Sequence, residues 1–137
     1  MGTIAKDKRE IKLYYHSGTS LGKQTYAYVE SSEKEILAID LANTQITGTQ
    51  WAELASGLNK KISDLVNTEH PHFVEVYGPQ NPNLDEHDWL RVLEKHPETL
   101  AHPIVIVSSD FYALNTPSEF LEHMEADSIG KSKPYNV

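Results

Sequence analysis

The chain has 137 residues, 39% of them hydrophobic and 23% charged, with a formal net charge of −8; these are values of an ordinary globular domain with one core. The negative balance argues against a direct nucleic-acid partner, which needs clustered Lys and Arg to displace phosphate counterions, and no apolar run approaches the roughly 18–20 residues of a membrane span. There is no cysteine, which excludes disulfide exchange, thiolate catalysis and sulfur-ligated metal sites.

The first ten residues lack a signal peptide's apolar segment, so the expected location is cytoplasmic, and Lys6, Lys8 and Arg9 read as part of a solvated arm. From Glu10 to Tyr15, apolar Ile11, Leu13 and Tyr15 alternate with Lys12 and Tyr14, the period of a strand with one buried face. After a turn-like segment from His16 to Ser20, Gly22 to Ser31 reads as a helix of about three turns. The run Ile36-Leu37-Ala38-Ile39 predicts a parallel strand covered on both faces, completing a βαβ unit.

Thr47 and Gln50 match a capping box ahead of Trp51, Leu54, Ala55 and Leu58 at helical spacing, and Gly57 and Asn59 stop that helix. A short amphipathic stretch holds Ile62, Leu65 and Val66; His70-Pro71-His72 and the segment from Gly78 to Asn83 then predict a long polar loop. Asp85 caps a further helix with Trp89, Leu90 and Leu93 on its buried face, closed by His96-Pro97. Pro103 to Val107 is a β-branched core strand, joined through Ser108-Ser109-Asp110 to Phe111–Leu114 as an antiparallel hairpin. Thr116-Pro117-Ser118-Glu119 predicts a capped helix start, with Phe120, Leu121 and Met124 facing inward.

The order is βαβ, a helical insertion, then ββα. This predicts an arm at 1–9, a single domain at 10–126 with the insertion at about 47–97, and a tail at 127–137. The fold class is α/β, a four-stranded mixed sheet of the thioredoxin-like kind.

That order resembles the arsenate reductase-like branch of the thioredoxin fold, the family that includes the transcription regulator Spx. The stretch Leu13 to Thr25 is similar to the family's opening motif, in which a strand ending in Tyr-Asn-Pro or His-Asn-Pro precedes the catalytic Cys and an Arg/Lys-x-Thr helix start. Pro97 to Val105 resembles its Pro-x-Leu-x-x-Arg-Pro-Ile-Val signature, and Asn115-Thr116-Pro117 its later Gly-Arg-Pro. The likeness runs from Ile11 to Met124 and is distant. The departures fall on the chemistry. Thr19 stands where the family has its nucleophilic Cys and Gly22 where the Spx-like branch has a second Cys, while His102 and Thr116 replace two anion-binding arginines. The resemblance thus implies a protein that has lost cysteine-based redox activity and is kept for binding or regulation. Another protein is the implied partner, since Spx-like members contact RNA polymerase.

The fold implied by the resemblance sets His16, Ser17, Thr19, Ser20, Lys23 and His102 around one concavity, with Pro103 and Thr116 as further ligand-binding candidates. Pro103 is similar to the proline that is cis in thioredoxin-like proteins. Hydroxyls and free N–H groups at a helix start suit an anion, which leaves two alternatives: a small-ligand site for glutathione or an oxyanion, or a glutathione-dependent enzyme using the start of the first helix. Thr19 and Ser20 also read as plain helix caps. Glu69-His70-Pro71-His72 and Asp85-Glu86-His87-Asp88 contain metal-ligand types, but Pro71 interrupts helical spacing and the second group suits an acidic helix start, so both read as surface. A triad of Ser108, His102 and Asp110 lacks the glycines of a nucleophile elbow. No cofactor and no metal are expected.

Overall fold

The computed structural model describes residues 11–32, 35–78 and 83–123. The expectations for the 1–9 arm, Met124 and the 127–137 tail lie outside these residues. The elements, in order, are β1 (Ile11–Tyr15), α1 (Ser20–Ser31), β2 (Ile36–Asp40), α2 (Gly48–Gly57), a 3₁₀ turn (Ile62–Leu65), α3 (Pro71–Tyr77), α4 (Glu86–Lys95), a second 3₁₀ turn (Pro97–Thr99), β3 (Ile104–Val107) and β4 (Asp110–Ala113). A helical segment at 119–123 follows.

The four strands form one mixed sheet in the order β2-β1-β3-β4. β1 pairs parallel to β2, with Leu13 opposite Ala38, and antiparallel to β3, with Leu13 opposite Val105; β3 and β4 form an antiparallel hairpin. This is the thioredoxin-like arrangement, with the helices from α2 to α4 inserted between its halves.

Because side chains alternate across a strand, each sheet face has its own core. Ile11, Leu13 and Tyr15 of β1 pack with Val29, Val105, Val107, Leu114 and Phe120. On the other face Tyr14 and Ile104 join Trp51, Leu54, Phe73, Trp89, Val92 and Leu93 of the insertion. The insertion therefore supplies most of one hydrophobic core.

The caps read from sequence at Thr47 and Asp85 form reciprocal boxes, Thr47 with Gln50 and Asp85 with Asp88. The structure departs from these expectations at several elements. The stretch from Pro71 to Tyr77 is a helix and no loop. Pro71 occupies the first helical turn, where its missing N–H costs nothing, and Phe73, 1% exposed, stacks on Trp89 with ring centroids 5.7 Å apart. β2 is an edge strand: the insertion covers Ile39 but not Leu37, which is 54% exposed. In α4 the buried face is Trp89, Val92 and Leu93, with Leu90 only half-buried. The α1 helix begins at Ser20, two residues before the expected start, because Thr19 caps it. Thr116 does not close a capping box: the Glu119 carboxylate accepts the N–H of Asn115, at 2.9 Å, and helix appears only at 119. No helix among the described residues is long and apolar enough to cross a membrane.

Candidate functional site

The C-terminal end of β1 and the start of β3 lie side by side, because the strands run antiparallel and Tyr14 faces Ile104. The loop leaving β1 and the residues entering β3 therefore meet at one end of the sheet. There a concavity of about 300 Å³ is lined by His16, Gly18, Thr19, Ser20 and Leu21 from the β1–α1 loop and helix start. Asn67 and His70 of the insertion, and Glu98, Leu100, Ala101 and Pro103 of the approach to β3, close its other sides. The insertion reaches it through the Val66–Leu100 bridge, reinforced by Ala101 N–H to Leu65 carbonyl and Asn67 N–H to Thr99 carbonyl, both 2.7 Å.

Of the eight candidates, His16, Thr19, Ser20 and Pro103 line this concavity. Ser17 does not, because its backbone N–H is bound to the Asp40 carboxylate at 3.0 Å. Lys23 lies on the exposed side of α1. His102 turns to the β4 side, its Nδ1–H donating to the Leu114 carbonyl at 3.1 Å. Thr116 pairs with Ser118 at 3.3 Å, beyond β4. Pro103 follows a trans peptide bond and accepts the Leu114 N–H through its carbonyl, at 2.9 Å. Neither arginine position of the resemblance thus contributes to the lining. The Ser108–His102–Asp110 grouping is not assembled: the whole of β3, four residues and about 13 Å of strand, separates His102 from the turn carrying the other two.

Thr19 is the N-cap of α1. Its hydroxyl accepts the Gly22 N–H at 3.0 Å and donates to the His16 carbonyl at 2.9 Å, so its one proton is held within the turn. His16 accepts the Gly18 N–H at Nδ1, 2.9 Å, and His70 accepts the His72 N–H at Nδ1, 3.0 Å. In the neutral form each therefore carries its proton on Nε2. Burial, then the neighbouring His72 and His16, hold the His70 pKa below its ordinary value despite Glu98.

Glu98 was inside the segment that carried the resemblance, yet sequence reasoning passed over it for His102. Burial raises its pKa, but hydrogen bonds from His72 and His96 outweigh that and keep the carboxyl below the usual range. Oε2 accepts both Nδ1–H groups, at 2.8 and 3.3 Å. Asn67 and His70 were also missed; Glu69-His70-Pro71-His72 reads as surface, and Asn67 lies just ahead of that run. No group of three or more His, Asp or Glu side chains able to hold a metal is found among the described residues.

Beneath the loop, Asp40 ties β2 to the site by accepting the N–H groups of Ser17 and Ala42, each at 3.0 Å. Burial pushes its pKa up, but the Ser17 and Ala42 hydrogen bonds prevail and the carboxyl lies below its ordinary value. A depressed carboxyl stabilises the fold fully above the unfolded value, about 3.9, and loses that contribution as pH falls through the folded value. Asp40→Asn should therefore be less stable than the native chain at neutral pH, with the gap closing as pH falls below the ordinary carboxyl range; urea melts followed by tryptophan fluorescence measure it. Tyr15, stacked on Tyr26 at 4.9 Å, is pushed up to about 12, chiefly by burial and then by Asp40, so it remains an un-ionised phenol.

A separate cavity of about 520 Å³ lies between the β2–α2 loop and α4, lined by Asn43, Thr44, Trp51, Glu94 and Lys95 among others. It shares no residue with the first.

No family model and no curated protein matches this sequence. Among solved structures, the arsenate reductase of Vibrio cholerae superposes with a TM-score of 0.69 at 16% identity, covering 83% of this chain and 97% of that one. An arsenate reductase-related protein of Brucella melitensis superposes at 0.57 with 11% identity, covering 85% and 95%. These likenesses extend over nearly the whole of both relatives. The chain has the arsenate reductase-like form of the thioredoxin fold.

Proposed function

We propose that this chain is a divergent, cysteine-less member of the arsenate reductase-like family that has kept the scaffold for binding or regulation and has given up thiol redox chemistry. One observation carries the reading. The position that corresponds to the nucleophile by resemblance holds Thr19, whose hydroxyl caps α1 and donates its proton to the His16 carbonyl, beside a pocket that no Lys or Arg lines. Reduction of arsenate requires two electrons, which thiols deliver by forming and then exchanging sulfur bonds; a hydroxyl cannot be oxidised in that cycle. With no thiol anywhere in the chain, no thiol-borne covalent intermediate can form on it.

The concavity between Thr19, His70 and Pro103 is the binding site in this reading. Its lining supports small-ligand or side-chain recognition and weakens the simple oxyanion alternative, since no lining side chain is a permanent cation. A coupled assay with arsenate, reduced glutathione and glutaredoxin tests the loss of activity. The expected rate equals the protein-free background; arsenate-dependent glutathione oxidation that scales with protein concentration would refute it.

A further inference from the structure

The polarity of the concavity is the reverse of what its position in the fold suggests. Its lining contains one carboxylate, Glu98, and neither Lys nor Arg. The remaining polar side chains are His16, His70, Asn67, Thr19 and Ser20. Several of these are engaged on one side: Thr19 donates once and accepts once, Asn67 Oδ1 accepts the Glu69 N–H at 3.0 Å, and the Ser20 hydroxyl accepts from the Gln24 amide at 3.2 Å. Asn67 thus keeps its amide N–H groups and Ser20 its O–H as neutral donors. His16 and His70 use Nδ1 on backbone N–H groups, which leaves neutral Nε2–H donors.

Glu98 differs from these. Both histidine contacts fall on a single oxygen, Oε2, and a carboxylate has about four acceptor directions over its two oxygens. Two imidazoles therefore fix the carboxylate's orientation without exhausting it. Its side chain is 19% exposed, so it is partly withdrawn from water but still reachable. The formal net charge of the chain, −8, has the same sign, and a cleft whose fixed charge is negative concentrates the opposite ion. An inorganic oxyanion would meet the N-terminal end of α1, but it would have to enter against Glu98 with no fixed cation to hold it.

We propose that the concavity accepts a cation: Glu98 receives the ammonium or guanidinium group of a small amino compound or of a basic peptide side chain, and oxyanions are refused at neutral pH. The neutral Nε2–H groups of His16 and His70 are then available to an acceptor elsewhere on the same ligand. A concavity of about 300 Å³ is at the small end of ligand pockets and suits a single such group with its stem. The inference rests on reading this concavity as the binding site, but is independent of the loss of reductase activity.

The test is an amide NMR titration of the full chain at neutral pH and low salt with four probes: L-arginine, the tripeptide Gly-Arg-Gly, L-citrulline and sulfate. Citrulline keeps the shape of arginine without its charge. Arginine or the tripeptide should give saturable shifts centred on Asn67, His70, Glu98 and Ala101 at millimolar concentration, with citrulline and sulfate at least tenfold weaker. Preference for free arginine identifies a small amino compound, and preference for the tripeptide a peptide side chain. Glu98→Gln, which retains an acceptor for His72 and His96, should weaken the better cationic probe at least tenfold; Glu94→Gln, which removes the same charge at the other cavity, should leave it unchanged. Sulfate or citrulline matching the cationic probes, equal loss in both variants, or no saturable shift with any probe would overturn the proposal. Sulfate binding would spare the wider reading of the concavity as a binding site, and a positive reductase assay would leave the cation preference standing.

Discussion

Thr19→Cys should restore a reactive thiol but no arsenate reduction. The substituted sulfur would lie at the N-terminus of α1, where unpaired N–H groups and the helix dipole favour a thiolate, so alkylation by iodoacetamide at neutral pH should outpace that of a free thiol. Turnover needs more than a nucleophile. The oxyanion must be held against it, yet the lining has no Lys or Arg and includes the Glu98 carboxylate, while His102 and Thr116 face other parts of the fold. Losing one well-placed electrostatic donor costs about 10²–10³ in rate, and two are missing. The coupled assay should stay at background even as alkylation proceeds. The variant should also lose about 1 kcal/mol of stability, because sulfur is a weaker cap than the threonine hydroxyl. Arsenate-dependent turnover above background in Thr19→Cys would show that the scaffold still binds the oxyanion productively, contrary to this account.

Gly22→Ala is expected to be the more damaging change to the fold. A Cβ at this position would lie 2.1 Å from the His16 carbonyl oxygen and 2.6 Å from Thr19 Oγ1. The His16 oxygen cannot withdraw freely, since it accepts both the Thr19 N–H and the Thr19 hydroxyl. The tight turn that starts α1 must open, and the expected cost is about 3 kcal/mol or more, even though alanine favours helix by up to about 1 kcal/mol over glycine. That loss should lower the thermal midpoint by about 10 °C for a domain of this size, read by circular dichroism; a midpoint within about 2 °C of the native one would show that the turn is softer than its geometry indicates. The same clash applies to Gly22→Cys. A second thiol cannot be rebuilt at that position without dismantling the turn that positions Thr19.

Much of this fold could be read from residue order, because its determinants are local. The alternation in β1, the β-branched run of β3 and the boxes at Thr47 and Asp85 each act within a few residues. Where the outcome depended on distant packing, the reading failed. Pro71 looks like a helix breaker until Phe73 is seen stacked against Trp89, sixteen positions away in sequence, which makes a seven-residue helix worth forming. The apolar run of β2 signals a strand but not that it lies at the sheet edge with Leu37 uncovered.

The site divides in the same way. Thr19, Ser20, His16 and Pro103 were found because the resemblance fixes the two loops that carry them. Asn67, His70 and Glu98 come to the concavity through the Val66–Leu100 bridge, a pairing that spans thirty-four residues and has no local signature. Lys23 and His102 were expected there on the same ground, because the resemblance sets the start of the first helix beside the loop before the third strand. Their directions are decided by the exposed face of α1 and by the Leu114 carbonyl. What the resemblance could not convey is that the lining carries the Glu98 carboxylate and neither Lys nor Arg.

The most direct test of the central claim is the intact mass of the native chain after prolonged incubation with arsenate and reduced glutathione, recorded without denaturation or added reductant. A site that holds ligands without exchanging electrons predicts the unmodified mass throughout, accompanied at most by adducts that disappear on dilution. A covalent arsenic or glutathione adduct that survives dilution, above all one mapping to Thr19, would contradict it.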